Sequence, residues 1–269
     1  MTYTPEELVN RKKWDDVAPV HLRSYGLEQL RRGHSMLGEI ERRELGDITG
    51  KSILHLQCHI GHDTLSLALA GGRVTGVDFS EQSIDIAREL ADELQLDVRF
   101  LVGNVLHLDE VLDEHFDLIF TSNGVLCWIR DIELWAKGIG DHLRDGGTFY
   151  IYEYHPFAYV FDEESENGLM PKYDYFLKQP LYFDDEYADY ADSTYLSQNP
   201  TYEWMWSVGD IQNALIAQGL EIEFFHEYQS ATFQMYPFLE DAGAGHWQLP
   251  SHMPAIPLMF SLKATKRQT

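Results

Sequence analysis

The residue types best suited to ligand chemistry lie in one short turn and at the end of the strand run that follows it. The turn extends from Gln57 to Gly61 after the apolar run SILHL, and the next apolar run, VTGVDF, contains Asp78 near its end. Backbone amides of a turn that opens a helix can bind a carboxylate, and an acid after the second strand can accept both hydroxyls of a ribose. The spacing therefore predicts a site for an adenosine ligand.

The turn itself limits which adenosine ligand fits. A dinucleotide site needs glycines within the turn so that the backbone can approach a pyrophosphate, but Gln57 and His59 occupy two of those places and only Gly61 remains. Side chains are tolerable there for a ligand that has a carboxylate and an adenosine but no pyrophosphate. An NAD-dependent dehydrogenase is therefore disfavoured.

Polar residues also follow the next two strand runs. Gly103 and Asn104 come after VRFLV, and an Asn amide can pair with the amino edge of adenine. Ser122 and Asn123 come after FDLIFT, where the reacting group of the ligand would meet a second substrate. Phe79 follows the predicted ribose-binding acid and can lie against a purine ring. Because ligands of open parallel sheets bind at the carboxyl ends of the strands, these residues are expected to share one site.

Strand runs and helical stretches alternate regularly from Ser52 to His155. This alternation specifies a parallel sheet with right-handed crossovers, and the short, continuously apolar runs are typical of strands covered on both faces. A Ser-x-x-acid helix start at Ser207 precedes the runs EIEFFHEY and IPLMFSLKAT, which would end the sheet in an antiparallel hairpin. We therefore expect an α/β protein with a doubly wound, mostly parallel sheet.

The same patterns divide the chain into four segments. Residues 1–50 are predicted to be a helical lid, because apolar residues recur between charges at helical spacing from Glu6 to about Glu44. Residues 51–155 form the ligand-binding core, and residues 207–269 supply the helix and strands that complete its sheet. Residues 156–206, here called the insertion, are rich in aromatic residues, which disordered segments lack. We predict short strands in the insertion.

Charge and cysteine content restrict the partners and the compartment. The net charge of −24 repels nucleic acids and anionic membranes, and residues 156–260 hold 17 Asp and Glu against only Lys172 and Lys178. That acidic region is either a solvated surface or a lobe that favours neutral and cationic small molecules. No apolar run is long enough to cross a bilayer. The two cysteines and an N-terminal sequence without an apolar run predict a cytoplasmic protein.

Five motifs, in this order, carry a resemblance to a known family: HLQCHIGHDTLSLA, VTGVDFS, FLVGNV, FDLIFTSNGVLCW and LRDGGTFYIYEYHP. The chain resembles the class I S-adenosylmethionine-dependent methyltransferases, and more narrowly a bacterial branch whose turn reads LHLQCH-x-G-x-DTL. The resemblance implies a Rossmann-like sheet of seven strands with an antiparallel last strand, the aromatic insertion after strand five, and S-adenosyl-L-methionine as cofactor. The cofactor contacts that it implies fall on Gln57, Cys58, His59 and Gly61, on Asp78 and Phe79, on Gly103, Asn104 and Val105, and on Ser122 and Asn123.

Two positions depart from the family pattern, and two more come from the lid. His55 stands where an acidic residue is usual at the start of the turn, and Asn104 stands where an adenine-contacting Asp is usual. Trp14 and Tyr25 resemble aromatic residues that close over the cofactor in related enzymes. Packing in the core explains Trp14 and Tyr25 equally well.

A zinc site is the alternative interpretation of the turn. His55, Cys58, His59 and His62 have residue types that bind zinc, but tetrahedral coordination requires their side chains to converge. The first lies on a strand and the last opens a helix, so we expect them to diverge, and we predict no metal. A redox or nucleophilic role for Cys58 is also disfavoured, because no second cysteine is near in the sequence.

Candidate residues for a methyl acceptor lie after the fifth strand run and in the insertion. His155 can remove a proton from a hydroxyl or thiol acceptor, with Glu153 close by; the alternative is a histidine bonded to the backbone. Tyr202, Trp204 and Trp206 alternate along one run and are predicted to line one wall of the acceptor pocket. Acidic surroundings would then favour an amine acceptor through cation–π attraction, with packing against the sheet as the alternative.

The sequence thus predicts an S-adenosylmethionine-dependent methyltransferase that acts on an unidentified small molecule by direct displacement at the methyl group. Such a displacement depends mainly on alignment and exclusion of water, so a base is not obligatory. The alternative function is a non-catalytic adenosyl-ligand-binding or regulatory protein.

Overall fold

Three helices precede the first strand in this computed structural model, which describes residues 1–184 and 188–268. They are α1 (Pro5–Ser24), α2 (Glu28–Arg31) and α3 (Glu39–Leu45). Thr4 begins α1 with a capping box, in which its side chain accepts from the Glu7 amide and the Glu7 carboxylate accepts from the Thr4 amide. The helical character predicted for the lid is thus present but divided by two turns. No helix of the described residues is long and apolar enough to cross a membrane.

The core alternates strands and helices as the sequence predicts. Its elements are β1 (Ser52–Leu56), α4 (His62–Leu69), β2 (Arg73–Asp78), α5 (Glu81–Leu94), β3 (Arg99–Val102), β4 (Phe116–Thr121), α6 (Ile132–His142) and β5 (Leu143–Tyr154). Short 3-10 turns at Val105–Glu110 and Leu126–Trp128 follow β3 and β4. Side-chain caps begin the helices where the sequence changes period: Ser80 accepts from the Ser83 amide, and Asp131 accepts from the amides of residues 133 and 134.

The second half of the chain adds short strands and completes the main sheet. In the insertion lie a 3-10 turn (Ala158–Val160) and the strands β6 (Leu181–Phe183), β7 (Ala188–Asp189), β8 (Asp192–Leu196) and β9 (Thr201–Glu203). Residues 185–187 of the insertion lie outside the described residues. After them come α7 (Val208–Ala217), β10 (Leu220–Tyr228), β11 (Ser230–Ala231), β12 (Glu240–Gly243), β13 (His246–Gln248) and β14 (Met259–Lys266). The three-stranded sheet of β11, β13 and β12 was not predicted from the sequence.

The main sheet has seven strands in the order β10-β14-β5-β4-β1-β2-β3. The pairs β1–β2, β1–β4, β2–β3 and β4–β5 are parallel, whereas β14 is antiparallel to both β5 and β10. The predicted doubly wound, mostly parallel sheet with an antiparallel last strand is confirmed. Because β1 to β4 run the same way, their carboxyl ends meet at one edge, where the turn after β1 and the residues after β2, β3 and β4 come together.

Alternate residues of the strands face two different cores. Leu54 and Ile119 belong to a cluster closed by residues of α6 and α7, whereas Ile53 and Leu118 belong to a cluster on the opposite face. Residues of α1 and α2 pack with α4 and α5 in a third cluster. The lid helices are therefore held against the core next to the turn after β1.

Candidate active site

A cavity of about 640 Å³, here called the main cavity, lies at the carboxyl ends of the parallel strands. Twelve of the thirteen residues predicted to contact a cofactor line it: Trp14, Tyr25, Gln57, Cys58, His59, Asp78, Phe79, Gly103, Asn104, Val105, Ser122 and Asn123. The exception is Gly61, which begins α4 with a φ of 76° and packs against Phe100 and Ala87. The sequence motifs thus converge on one place.

The turn after β1 has an unusual backbone for its residue types. Gln57 has a φ of 53° and His59 a φ of 48°, so two residues with side chains adopt the left-handed region that glycine enters more easily. Such conformations cost on the order of 1–3 kcal/mol and persist where surrounding structure enforces them. The Gln57 amide donates from Nε2 to the Val125 carbonyl at 3.0 Å, while its Oε1 is buried without a hydrogen-bond partner.

Asp78 ends β2 with a buried carboxylate in the cavity wall. Its two oxygens accept from the backbone amides of His59, at 2.8 Å, and Ser80, at 2.9 Å, which orients the group beside the turn. Burial raises the pKa of Asp78 to about 6, partly offset by those amide hydrogen bonds. The remaining lone pairs can accept from vicinal hydroxyls, as predicted for a ribose.

Asn104 follows β3 but already has hydrogen-bond partners within the protein. Its Nδ2 lies 3.0 Å from the Thr2 carbonyl and 3.1 Å from Glu7 Oε1, and its Oδ1 accepts from the Leu106 amide at 3.0 Å. Asn104 therefore fixes the N-terminus of the chain over this end of the cavity. A contact between its amide and adenine would compete with those bonds.

A carboxylate not assigned from the sequence stands near the residue that departs from the family pattern. Burial lowers the pKa of His55 to about 4, so the ring is neutral, and its Nδ1 lies 2.8 Å from Thr64 Oγ1. Asp63 in the first turn of α4 lines the same cavity and accepts from Ser122 Oγ at 2.9 Å. Asp63 can supply the negative charge that an acidic residue at position 55 would have supplied.

The lid, the turn and the insertion meet in one hydrogen-bonded network. His21 of α1 is fully buried, and its Nε2 donates to the Asp189 carboxylate at 3.0 Å. Its Nδ1 lies 2.7 Å from His59 Nε2 and 3.0 Å from the Tyr25 hydroxyl, which is bonded to the Tyr190 hydroxyl. With Nε2 bonded to Asp189, the other ring nitrogen of His21 is left for His59 and Tyr25. The network closes the cavity on the lid side.

The structure corrects two predictions for the acceptor side. His155 lines neither this cavity nor its neighbour: its Nε2 faces Glu227 at 3.1 Å and its Nδ1 accepts from the Phe157 amide. The Glu153 carboxylate, which is 1% exposed, instead accepts from the backbone amides of Gly124, Val125, Leu126 and Tyr154. Glu153 therefore shapes the loop after β4, and its lone pairs are taken up by the protein. Burial raises its pKa to about 7.

The predicted aromatic wall is not formed by the three residues proposed for it. Strand β9 ends at Glu203, so the alternation does not extend through Trp206, whose Nε1 donates to the Ile129 carbonyl. Tyr202 packs against Tyr182, with ring centroids 4.9 Å apart. Of the three residues, Trp204 lines a second cavity, which lies beside the main cavity and under the insertion.

The cysteine and the histidines of the turn do not converge on a metal. Among residues 1–184 and 188–268, no group of three or more His, Cys, Asp or Glu is arranged to hold one. Cys58 is buried, and burial raises the pKa of its thiol well above the usual value. The thiol is therefore protonated and unreactive near neutral pH.

Comparisons with known proteins agree with this geometry. Residues 53–147 match a family described as a methyltransferase domain. The matched segment contains β1 to β4, the turn after β1 and Asp78, and so contains most of the main cavity's predicted cofactor residues.

Relatives with similar sequences share only part of their length with this chain. A demethylmenaquinone methyltransferase of Lactococcus lactis is 40% identical over 70 residues, which cover 24% of this chain and 28% of that protein. A ubiquinone biosynthesis O-methyltransferase of Coxiella burnetii is 30% identical over 104 residues, 39% of this chain and 44% of that protein. The chain therefore spans less than half the length of these relatives.

The fold extends beyond the domain. The crystal structure of an S-adenosylmethionine-dependent methyltransferase from Clostridium acetobutylicum superposes with a TM-score of 0.60 at 15% identity, covering 93% of this chain and 99% of that one. The predicted Rossmann-like methyltransferase fold is thereby confirmed across nearly the whole chain.

Proposed function

We propose that this chain is an S-adenosylmethionine-dependent methyltransferase that methylates a small molecule. The observation that carries the proposal is the main cavity, where the buried Asp78 and the turn after β1 line one space at the strand ends. The match of residues 53–147 to a family described as a methyltransferase domain supports S-adenosyl-L-methionine as the ligand of this cavity. The chain's LHLQCH turn further places it, by our proposal, in the bacterial branch named above.

The residues present suit the parts of S-adenosyl-L-methionine. Asp78 would accept the ribose hydroxyls, with Phe79 against the purine, and Asp63 would face the ammonium of the methionine part. Trp14 and Tyr25 would close the lid segment, residues 1–50, over the cofactor. When bound, the cofactor supplies an electrophilic methyl carbon on a sulfonium, and the protein's part is to align the acceptor and exclude water.

The insertion, residues 156–206, is proposed as the acceptor lobe, and residues 207–269 as the part that completes the core. Relatives named for quinone-pathway methylation support a small-molecule acceptor. The negative net charge supports the exclusion of nucleic acids and anionic membranes as partners. The free cysteines Cys58 and Cys127 support a location in the reducing cytoplasm. The second predicted function, a non-catalytic binder, would share the cofactor site.

Ligand-induced stabilisation tests the cofactor assignment. S-adenosylhomocysteine at about 100 times its dissociation constant should stabilise the protein by about 2.7 kcal/mol, and NAD should not. Asp78→Ala should weaken S-adenosylhomocysteine at least ~10-fold, because hydrogen bonds to a charged group contribute about 1.5–3 kcal/mol each. Asp85→Ala, which removes an exposed acid of α5, should leave the affinity unchanged.

Stabilisation by NAD alone would refute the methyltransferase assignment. An unchanged affinity in Asp78→Ala would instead show that the ribose lies elsewhere. Incubation with S-adenosylmethionine carrying a labelled methyl group and a metabolite extract then separates enzyme from binder, since only an enzyme yields a labelled small molecule.

A further inference from the structure

A second cavity of about 400 Å³ lies beside the main cavity, under the insertion. The two cavities share seven lining residues, among them Trp14, Trp128, Tyr159 and Tyr190. These side chains come from α1, from the 3-10 turns after β4 and β5, and from the loop between β7 and β8. The second cavity thus adjoins the proposed cofactor site across a wall of aromatic rings.

The lining of the second cavity is largely apolar and flat. Ten of its residues are Phe, Tyr or Trp, so a ligand there would be in contact with ring faces and edges on several sides. The charged residues are Lys13, Glu163, Asp189 and Glu203. Two of them have partners already: Tyr173 donates to Glu163 at 3.0 Å, and His21 donates to Asp189. Within residues 1–184 and 188–268, Lys13 and Glu203 have no ion pair within 4.0 Å and remain for a ligand.

Glu203, the last residue of β9, is the one carboxylic acid among the described residues that lines both cavities. Within the described part of the chain its carboxylate has no ion pair within 4.0 Å, and its side chain hydrogen-bonds to Thr201. The other titratable groups that line both cavities are Cys127, Tyr159 and Tyr190. Burial raises the pKa of each of these above its usual value, so they are protonated near neutral pH.

His21, which lines the second cavity, and His59, which lines the main cavity, are hydrogen-bonded at both ring nitrogens. His21 is bonded at both ring nitrogens, to Asp189 and to His59. His59 lies 3.0 Å from Ser83 at its other nitrogen, and burial together with His21 holds its pKa well below the usual value. Glu203 is therefore left as the group that can receive a proton at the boundary between the cavities.

We propose that the second cavity holds the methyl acceptor, a neutral molecule with a flat apolar body and a hydroxyl or amine, and that Glu203 takes the proton of that group. The proposal rests on the assignment of the main cavity to the cofactor. A neutral acceptor follows from the largely apolar lining of the second cavity, and a flat body follows from the aromatic rings.

The proton transfer balances as follows. The acceptor's O–H or N–H bond breaks, the electron pair stays on the acceptor atom, and the proton moves to a Glu203 oxygen. The acceptor atom uses a lone pair to bond the methyl carbon, and the electron pair of the broken carbon–sulfur bond stays on the sulfur. The proton on Glu203 is then released to water when the product leaves. Glu203 acts as a general base, which typically contributes about 10²–10⁴-fold to rate.

The ionisation of Glu203 determines the pH range of this step. Burial raises its pKa to about 7, with a further increase from Glu163 and opposing effects of Thr201 and Lys13. Cys127 and Tyr159 also face it, and both are neutral in this range. Glu203 therefore becomes an effective base as the pH rises through about 7.

A fluorescent phenol tests the proposal without knowledge of the natural acceptor. 2-Naphthol is flat and neutral, and its excited state releases its proton to a nearby base and then emits at longer wavelength as naphtholate. In protein saturated with S-adenosylhomocysteine at pH 8, bound 2-naphthol should show naphtholate emission, which decreases below about pH 7. Glu203→Gln should bind 2-naphthol equally but emit from the neutral form. Glu166→Gln, the matched change in an exposed glutamate of the insertion that lines neither cavity, should keep the naphtholate emission.

Each outcome decides the proposal. Failure of 2-naphthol to bind, or equal naphtholate emission in Glu203→Gln, would overturn it. If S-adenosylhomocysteine fails to stabilise the wild-type protein, the proposed function fails instead, so the two failures are distinguishable.

A stability measurement separates a general base from a structural glutamate. Replacing an unpaired buried carboxylate by an amide should raise Tm of Glu203→Gln at pH 8, whereas a structural role would lower it. Since the folded-state pKa of Glu203 is raised, its unfavourable charge is present above about pH 7 and absent below the unfolded value. The gain in Tm should therefore disappear by about pH 4.5.

Discussion

The Gly61→Ala substitution tests whether the end of the turn after β1 tolerates a side chain. A Cβ there would lie 2.8 Å from two carbons of the Phe100 ring and 2.9 Å from Ala87 Cβ. Both neighbours are buried, with 4% and 0% exposure, so neither can move into solvent. Gly61 also has a φ of 76°, which a residue with a Cβ adopts at a cost.

The expected loss follows from these two effects. The left-handed backbone should cost about 1 kcal/mol for alanine, and overpacking of a closed core typically costs about 1–3 kcal/mol. The free energy of unfolding of Gly61→Ala should therefore fall by about 2–4 kcal/mol. Gly50→Ala is the matched control, because Gly50 has a φ of 73° but nothing within 4 Å of the added Cβ. The control should lose only about 1 kcal/mol.

Urea unfolding followed by circular dichroism and tryptophan fluorescence measures both losses. Coincident transitions and equal slopes would justify a direct comparison of the two free energies. Equal losses in the two variants would refute the reasoning, because they would show that Phe100 and Ala87 do not confine this position.

Two further predictions concern buried carboxylates. In urea unfolding, Glu153→Gln should lower the free energy of unfolding by about 1–3 kcal/mol, because an amide nitrogen would then face the backbone N–H groups of residues 124–126. The exposed Glu227→Gln should change that free energy by less than about 1 kcal/mol. Similar losses in the two variants would contradict the capping role of Glu153. Asp189→Asn should speed hydrogen exchange in α1, because the buried imidazole of His21 loses its anionic partner. The surface change Asp192→Asn should leave the exchange rate unchanged. Equal exchange in both variants would show that the lid does not depend on the bond between His21 and Asp189. Burial raises the pKa of Asp189, but its hydrogen bond with His21 and other interactions outweigh burial and hold that pKa below its usual value. The stability that Asp189 contributes is therefore present near neutral pH and is lost as the pH falls.

The sheet and the position of the site could be predicted because both depend on local patterns. Continuous apolar runs identify buried parallel strands, and residues directly after those runs necessarily meet at one edge. Asp78 and Ser122 were placed correctly around one cavity for this reason. Their contacts with a cofactor stay a prediction that ligand binding can test.

The acceptor side could not be predicted in the same way, because long-range packing determines it. His155 comes directly after the end of β5 and directly before a proline. Its position in the sequence therefore does not show that its ring turns toward Glu227. Glu153 binds amides of a loop nearly thirty residues earlier, a partnership that no local spacing indicates. Glu203 lies in the insertion, whose strands are only two to five residues long. Such short strands show too few alternations to indicate which side chains face the core. Asp63 was visible as a helix-start residue, but only the fold shows that it faces Ser122.

The place of β14 between β5 and β10 has a consequence for how the protein forms during synthesis. This strand pairs with β5 on one side and β10 on the other, yet it is synthesised more than a hundred residues after β5. Until β14 leaves the ribosome, β5 keeps an open edge of unpaired backbone groups and β10 has no sheet to join. A nascent chain stalled between β10 and β14 should consequently depend on chaperones, although its β1 to β4 region already contains Asp78 and the turn after β1.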